Sequence, residues 1–174
     1  MDKHLRKLEN ESVFILRQAY RSIKNIAMLW SLGKDSNVMV WLAFKAFFGK
    51  IPFPLVHVDT GKKFREMYEF RDKYEKLWNL KLIKGDCPSI KEIDSSLPPA
   101  ARSAARKTDG LKKILKEFEF KGVIAGIRRD EQGTRAKERI FSPRDDKGKW
   151  DTKNHPPEFW DQSNFNYPNN VHIR

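Results

Sequence analysis

Residues 27–37, Ala-Met-Leu-Trp-Ser-Leu-Gly-Lys-Asp-Ser-Asn, decide the fold of this chain. An apolar run typical of a buried strand ends at Ser31, a glycine and polar residues follow, and helix-forming sequence extends from Ser36 to Phe48. The pattern predicts a strand, a tight loop and the N-terminus of a helix. Such a unit binds anions, because the first helical turn has unpaired backbone N–H groups and the positive end of the helix dipole.

Several side chains of this loop suit a phosphate chain as the ligand. They are Ser31, Gly33, Lys34 and Ser36. The glycine lets a ligand approach the backbone, the lysine supplies a mobile positive charge, and the serines supply hydroxyl donors. The loop is not a Walker A motif, because that motif requires glycine where Met28 stands and serine or threonine where Asp35 stands. On these residues alone, an ordinary strand-to-helix turn is an open alternative.

The rest of the chain alternates between helical and strand patterns. Apolar residues recur at helical spacing over 5–23, 36–48, 64–77 and 108–118. Short apolar runs of strand type lie at 27–31, 55–61, 80–85 and 122–127. This order calls for parallel strands joined by right-handed crossovers. We therefore predict an α/β fold, a doubly wound and mostly parallel sheet with helices on both faces.

The predicted strand at 55–61 ends in polar residues. Ligands of doubly wound sheets bind outside the carboxyl ends of the strands, so Asp59, Thr60 and Gly61 are expected to face the same crevice as the loop. Asp59 is suited to hold Mg²⁺ or a ribose hydroxyl, and capping of the next turn is the alternative. His57 lies inside the apolar run, and we predict a hydrogen-bonded core histidine rather than a general base.

The pattern loosens between residues 86 and 107, which we expect to form a surface excursion near the site. Ser89-Ile90-Lys91-Glu92 has capping-box spacing and predicts a short helix that the prolines at 98–99 end. Residues 100–106 are expected to begin another, separate helix. Cys87 is the single cysteine, which excludes an internal disulfide and a Cys-x-x-Cys pair, and we favour a structural thiol over a nucleophile.

Arginines follow the last predicted strand. Arg128 and Arg129 begin at its carboxyl end, and Arg135 and Arg139 come soon after. Planar guanidinium groups at this position are suited to clamp a triphosphate and an anionic co-substrate. We favour that interpretation for Arg128 and Arg129. For Arg135 and Arg139, a solvated helix face with local ion pairs is an equal alternative.

The length and net charge of the chain restrict the classes of function that it can have. The 174 residues fit one domain, and the net charge of +12 with a pI near 9.8 is typical of proteins with polyanionic partners. Nucleic acid is one such partner, although a nucleotide substrate or a solvated lysine surface would also suit the charge. The chain has no apolar run near the ~20 residues that a transmembrane helix needs, so we expect a cytoplasmic protein and no membrane partner.

Several short runs in order resemble one known family. They are residues 31–36, 57–61, 64, 66–72, 107–108, 128–131 and 135–142. Together they resemble the phosphoadenosine phosphosulfate reductase family of PP-loop ATP pyrophosphatases, and most of all those members that adenylylate sulfate. The resemblance covers about residues 9–160 and implies a fold like that of the adenine nucleotide alpha hydrolases.

The resemblance implies an activity. Sulfate, or a similar oxyanion, attacks the α-phosphate of ATP in the presence of Mg²⁺, giving adenosine 5′-phosphosulfate and pyrophosphate, with a separate GTPase subunit as possible partner. In-line displacement needs mainly positioning and charge neutralisation, which loop amides, lysine, arginines and an ion supply. The expected catalytic residues are Lys34, Asp35, Arg128 and Arg129. The expected nucleotide-binding residues are Ser31, Gly33, Lys34, Asp35, Ser36, Asp59, Thr60, Gly61 and Arg135. The expected metal ligands are Asp35 and Asp59.

Some questions stay open at this point. Residues 95–106 depart from the family pattern, and Lys62 replaces a tryptophan, so the acceptor anion is not fixed. The alternatives are a reductase of adenylyl sulfate or phosphoadenylyl sulfate, which needs a redox cysteine, and an RNA-modifying or nucleic-acid-binding PP-loop protein. We divide the chain into a nucleotide-binding domain at 1–160 and an Asn- and Pro-rich tail at 161–174. Family members continue beyond this point, so either a truncated or a minimal version is expected.

Overall fold

The computed structural model describes residues 2–127, 133, 137–145, 148–157 and 171–173. The helices are α1 (Lys3–Ser22), α2 (Lys34–Ala46), α3 (Arg65–Leu77) and α4 (Pro99–Glu117), with a 3₁₀ helix at Ile90–Glu92. The strands are β1 (Ile26–Leu29), β2 (Leu55–Asp59), β3 (Leu82–Asp86), β4 (Gly122–Ile124), β5 (Phe141–Pro143) and β6 (Val171–Ile173). Of the helices in these ranges, none has both the length and the apolar character needed to cross a membrane.

The strands form one six-stranded sheet in the order β3-β2-β1-β4-β6-β5. All pairings are parallel except β5 with β6. The chain runs outward from β1 through β2 to β3, and then crosses back to place β4 on the other side of β1. The direction of winding therefore reverses between β1 and β4, and in sheets of this kind ligands bind at that point, outside the carboxyl ends of the strands.

Alternation along β1 explains why helices cover both faces. Ile26 and Met28 belong to the larger core cluster, with residues of α1 and α2, whereas Ala27 packs in a second cluster with Ile114 of α4. Successive strand residues point to opposite faces, so an unbroken apolar strand needs cover on both sides. The predicted doubly wound, mostly parallel sheet with helices on both faces is confirmed.

Two strands were missed from sequence. β5 and β6 have three residues each, too few for a periodic signal. Val171 and Ile173 are buried and β6 lies between β4 and β5, so the final described residues of the predicted tail at 161–174 belong to the sheet. The placement of residues 161–170 lies outside the described residues, and the boundary at 160 stays a prediction.

The sequence predicted one helix beginning at 100–106 and a separate helix at 108–118. This prediction is wrong, because α4 is continuous. Pro98 is its N-cap and Pro99 occupies its first turn, where proline is tolerated. Thr108 does not start a helix, since its hydroxyl donates to the carbonyl oxygen of Ala104 within α4, at 3.0 Å. Gly110 is buried, and a Cβ there would lie 3.3 Å from the backbone oxygen of Asp86. The glycine thus lets α4 pass close over the end of β3, which brings the first half of the helix to the site edge.

A second close approach holds α4 on the sheet. A Cβ built at Gly85 would lie 2.3 Å from Cδ1 and 2.7 Å from Cγ1 of Ile114. We expect Gly85→Ala to lower the free energy of unfolding by about 1–3 kcal/mol, as overpacking of a core does. Urea unfolding followed by tryptophan fluorescence measures this loss. Ile114→Val removes Cδ1 and should offset part of it; purely additive losses in the double variant would show that the two residues do not meet.

Candidate functional site

The loop after β1 turns the chain sharply into α2. Leu32 has φ +69°, a left-handed conformation that costs a leucine about 1–3 kcal/mol. Its side chain is buried in the larger core cluster, which compensates for the strain. The left-handed residue of the loop is therefore Leu32, whereas Gly33 is extended, with φ −76° and ψ 164°. This arrangement lets Gly33 act as the N-cap of α2.

Hydrogen bonds between side chains fix the loop. The indole N–H of Trp30 donates to Oδ1 of Asn37 at 2.7 Å, which ties the end of β1 to the first turn of α2. The hydroxyl of Ser36 donates to the Gly33 carbonyl oxygen at 2.9 Å and lies 3.1 Å from the hydroxyl of Ser31. Five residues of the segment 30–37 thus hold one another, and the side chains of Lys34 and Asp35 take no part in these hydrogen bonds. The loop is preorganised, which is what an anion site requires.

The exposed part of the loop is chemically suited to phosphate. Gly33 brings no side chain to cap α2, so the first-turn N–H groups face the loop concavity without a built-in acceptor. Lys34 and Asp35 are exposed at this terminus. The chain leaving β4 lies alongside, since a Cβ at Gly126 would be 3.7 Å from the Cβ of Asp35. The segment that follows Gly126 therefore starts at the edge of the loop.

The carboxylate of Asp59, at the end of β2, is held by hydrogen bonds and nearby cations. Oδ1 of Asp59 accepts hydrogen bonds from the backbone N–H of Gly61 and from the hydroxyl of Tyr68, both at 2.8 Å. Lys63 and Arg71 lie 3.9 Å from its carboxylate. Burial alone would raise the pKa of Asp59, but these hydrogen bonds and the charge of Lys63 hold the pKa below its ordinary value. The contacts are those of a turn cap surrounded by cations, the alternative considered for Asp59.

His57 is fully buried, and both ring nitrogens are occupied. Nδ1 lies 2.8 Å from the carbonyl oxygen of Trp30, and Nε2 lies 2.9 Å from the ammonium of Lys63. A carbonyl only accepts and an ammonium only donates, so the ring is neutral with its proton on Nδ1. Burial lowers the pKa of His57, and the charge of Lys63 lowers it further. The prediction of a hydrogen-bonded core histidine is confirmed.

Burial of His57 makes the free energy of unfolding depend on pH. Because the pKa of His57 is lower in the folded protein than the unfolded value near 6.5, the unfolded chain takes up the extra proton, and stability falls as the pH drops below about 6.5. In His57→Gln the loss of unfolding free energy between pH 7.5 and 5.5 should be smaller than in wild type. Urea unfolding at several pH values measures it, with the exposed His4→Gln as control. A pH dependence equal to that of wild type would contradict the assignment. His155, whose pKa burial also lowers, contributes a slope that both variants keep.

Two cavities open at this edge of the sheet. The first has a volume of about 320 Å³ and is mainly apolar; it is lined by Leu29, Trp30, Ser31, Val56, Val58, Thr60, Lys63, Lys107 and Leu111. The second has about 280 Å³ and is rich in cations; it is lined by Thr60, Lys62, Ile90, Pro99, Arg102, Ser103, Arg106 and Lys107. Thr60 and Lys107 line both, so the cavities are neighbours, and Ser31 connects the first to the loop after β1.

A larger cavity of about 410 Å³ lies elsewhere. Gly122 and Val171, the first residues of β4 and β6, line it, so it opens at the amino ends of the strands. Ligands of doubly wound sheets bind at the opposite edge. Size alone therefore does not identify the site, and the loop with its two adjoining cavities is the stronger candidate.

The structure brings most of the predicted site residues together. Ser31, Gly33, Lys34, Asp35 and Ser36 form the loop, and Thr60 lies across the first cavity from Ser31. Their role in binding stays a prediction. Arg128, Arg129 and Arg135 lie outside the described residues. Arg139 donates to the carbonyl oxygen of Pro156 at 2.9 Å, a structural contact.

Sequence reasoning missed the cations around Asp59. Lys63 comes four residues after Asp59, and Tyr68 and Arg71 are three apart on α3, on one face of the helix. This spacing could have pointed to them. In the described ranges, no group of three or more His, Cys, Asp or Glu side chains is placed to hold a metal ion.

Comparison with known proteins agrees with this geometry. The chain is 47% identical over 167 residues to sulfate adenylyltransferase subunit 2 of Escherichia coli O9:H4 strain HS, a match that covers 92% of this chain and 55% of the relative. It is 48% identical over 165 residues to the subunit 2 of Proteus mirabilis strain HI4320, with the same coverage. The chain spans about half the length of the curated relatives it matches.

Solved structures share the fold at low identity. Phosphoadenylyl-sulfate reductase from Candida auris, in its phosphate complex, superposes with a TM-score of 0.60 and 15% identity, covering 99% of this chain and 78% of that one. Residues 25–166 match the phosphoadenosine phosphosulfate reductase domain, most of the described sheet among them. The chain therefore belongs to the phosphoadenosine phosphosulfate reductase domain family.

Proposed function

We propose that this domain adenylylates sulfate or a similar oxyanion at the expense of ATP. The observation that carries the proposal is the preorganised loop after β1, with an uncapped helix N-terminus, Lys34 and Asp35, at the point where the winding of the sheet reverses. The subunit 2 relatives are named for the same reaction. In it, one acceptor oxygen forms a bond to the α-phosphorus, and the bond from that phosphorus to the bridging oxygen breaks as pyrophosphate leaves.

The loop after β1 and the neighbouring cavity suit different parts of the nucleotide. The loop N–H groups and Lys34 suit the β- and γ-phosphates, which become pyrophosphate. The neighbouring cavity of about 320 Å³ has mainly apolar walls that suit an adenine ring, and Ser31 lines it on the loop side. An ATP molecule laid out in this way has its α-phosphate between the two, on the side of the cavity that Ser31 lines.

The chemistry needs charge neutralisation more than a base. Sulfate is already ionised, so no group has to remove a proton, and the neutral His57 is saturated by Trp30 and Lys63. We assign Lys34 to the charge that develops on the leaving pyrophosphate, and propose that Arg128 and Arg129, which follow Gly126 in the sequence, act on the same group. Asp59, with Thr60 and Gly61, positions this edge of the site by capping the turn. Arg135 stays a proposed nucleotide contact.

The donor set fits a magnesium ion held mainly by the substrate. Mg²⁺ is usually bound by one or two carboxylates together with substrate phosphates and waters, and the exposed Asp35 offers one carboxylate beside the phosphate loop. Asp59 is the less suitable ligand, because Lys63 and Arg71 lie beside its carboxylate. When bound, the ion would neutralise phosphate charge and make pyrophosphate a better leaving group.

We further propose a partner subunit and a cytoplasmic location. The relatives carry the name of a second subunit, which implies an enzyme of more than one chain, and a GTPase subunit is the partner that the family resemblance suggests. The high positive charge of the chain would suit an acidic partner surface as well as nucleotide.

Pyrophosphate exchange tests the proposal. We expect purified protein, with the candidate GTPase subunit added, to exchange labelled pyrophosphate into ATP only when sulfate or selenate is present. In Lys34→Ala and Asp35→Asn the rate should fall about 100-fold or more, since each removes a charge that acts on the reacting phosphates. Lys24→Ala, an exposed lysine at the other end of β1, is the matched control and should keep the rate.

Two results would count against this function. Exchange that proceeds unchanged in Lys34→Ala would remove the loop from the reaction. Absence of oxyanion-dependent exchange in wild type, together with RNA binding that weakens steeply with salt, would favour the nucleic-acid alternative.

A further inference from the structure

The cation-rich cavity of about 280 Å³ has a composition that the nucleotide site does not explain. Four of its eight lining residues are cationic, namely Lys62, Arg102, Arg106 and Lys107, and none of the eight is acidic. Ile90 and Pro99 form an apolar wall beside them. Like charges brought together in a concave site repel one another unless an anion neutralises them. The cavity thus has the electrostatic character of an anion pocket.

The arginines of the pocket project from one face of α4. Residues 99, 102, 103 and 106 follow the spacing at which helical side chains share a face. Arg102 and Arg106 are four residues apart, and like charges at that separation destabilise a helix. The nearest acid facing Arg102 is Asp94, whose carboxylate accepts the backbone N–H of Ser96 at 2.9 Å. Neither arginine has an ion pair within the described residues.

Backbone contacts hold both guanidinium groups in place. Nη2 of Arg102 donates to the carbonyl oxygen of Ile90 at 3.1 Å, and Nε of Arg106 donates to the carbonyl oxygen of Pro88 at 2.8 Å. The Nε of Arg102 is buried and has no hydrogen-bond partner among the described residues. Each guanidinium has five N–H donors and uses one of them in these contacts, so donors on the outer nitrogens remain for a ligand. Charge-assisted hydrogen bonds from a guanidinium to an oxyanion are strong.

The pocket lies next to the proposed nucleotide site. Thr60 and Lys107 line both the pocket and the apolar cavity that suits the nucleoside. An anion held by Arg102 and Lys62 would therefore lie beside a bound nucleotide, where an acceptor for its phosphorus is needed.

We propose that this pocket binds the acceptor as a free tetrahedral oxyanion dianion, with Arg102 and Lys62 as the residues that determine its affinity. The inference rests on the proposed function, whose acceptor it locates. A phosphate group of a nucleotide has the same chemistry, so the test has to separate it from a free anion.

Direct binding measures the pocket without turnover. Protein saturated with α,β-methylene ATP and Mg²⁺ is titrated with sulfate by calorimetry. We expect the Kd for sulfate to rise about tenfold or more in Arg102→Gln and in Lys62→Gln, as loss of a charge-assisted hydrogen bond implies. The Kd for α,β-methylene ATP should stay within about twofold, because neither side chain lines the nucleoside cavity.

Control variants distinguish a direct contact with sulfate from the long-range effect of positive charge on the protein surface. Arg65→Gln removes the same charge from an exposed arginine nearby, paired with Glu69 outside the pocket, and should leave the sulfate Kd unchanged. Arg102→Lys keeps the charge and should recover part of the affinity. Lys62 belongs to the segment between β2 and α3 rather than to α4, so its variant tests the pocket even if Arg102→Gln disturbs the Ile90 contact. Thermal melting checks the fold of each variant.

Three outcomes would overturn the inference. They are no sulfate binding by wild type at millimolar concentration, equal weakening by Arg65→Gln, and an Arg102→Gln defect confined to adenosine 3′,5′-bisphosphate, which would assign the pocket to a nucleotide phosphate. The proposed function fails separately. Sulfate binding that depends on Arg102, without pyrophosphate exchange, would support the anion pocket and contradict the proposed adenylylation.

Discussion

The burial of β1 in the middle of the sheet is the constraint on which the site depends. Hydrogen bonds to β2 on one side and β4 on the other leave this strand no free edge, and apolar residues on both faces require helices above and below. The direction of winding reverses beside this strand, so the crossover helices on its two sides leave a crevice at its carboxyl end. The chain after Leu29 lies in that crevice. The loop and the N-terminus of α2 are therefore held by the most buried part of the fold.

Strain and burial balance one another within that loop. Leu32 adopts a left-handed conformation that a leucine tolerates only when the surroundings impose it, and its buried side chain and the Trp30–Asn37 hydrogen bond do so. The result is a rigid turn whose helix N-terminus has no side-chain cap. A phosphate site built in this way loses little entropy when it binds, since its donors already point in fixed directions.

Electrostatics divides the edge of the sheet into two parts. Around Asp59 the charges are internally neutralised, because hydrogen bonds and two cations stabilise the carboxylate and the neutral His57 accepts from Lys63. Along α4, Arg102 and Arg106 have backbone carbonyls as partners and no carboxylates among the residues that the structure describes. The first arrangement maintains the shape of the site, while the second leaves positive charge available to a ligand. Both follow from which residues the fold brings together rather than from their number in the sequence.

Much of the fold could be predicted from sequence, because apolar periodicity reports which faces are buried. The four long helical stretches and the strands at β1 to β4 follow from it, and so does the parallel, two-faced sheet. The phosphate loop was also predictable, since its residue types follow directly after a strand. By contrast, β5 and β6 are too short to show a period, and the continuity of α4 depends on Gly110 fitting over β3, a contact that no local pattern reveals.

The sequence by itself determined the fold class, the strand–loop–helix unit at 26–46 and the core position of His57, because each depends on local patterns of apolar and polar residues. The tertiary structure decided the rest. It placed Lys63 and Arg71 beside Asp59, whose role as a metal ligand stays a prediction, and it brought Arg102 and Lys62 to the lining of one cavity. These pairs come from different elements, and only the packing of α3 and α4 against the sheet determines their distance.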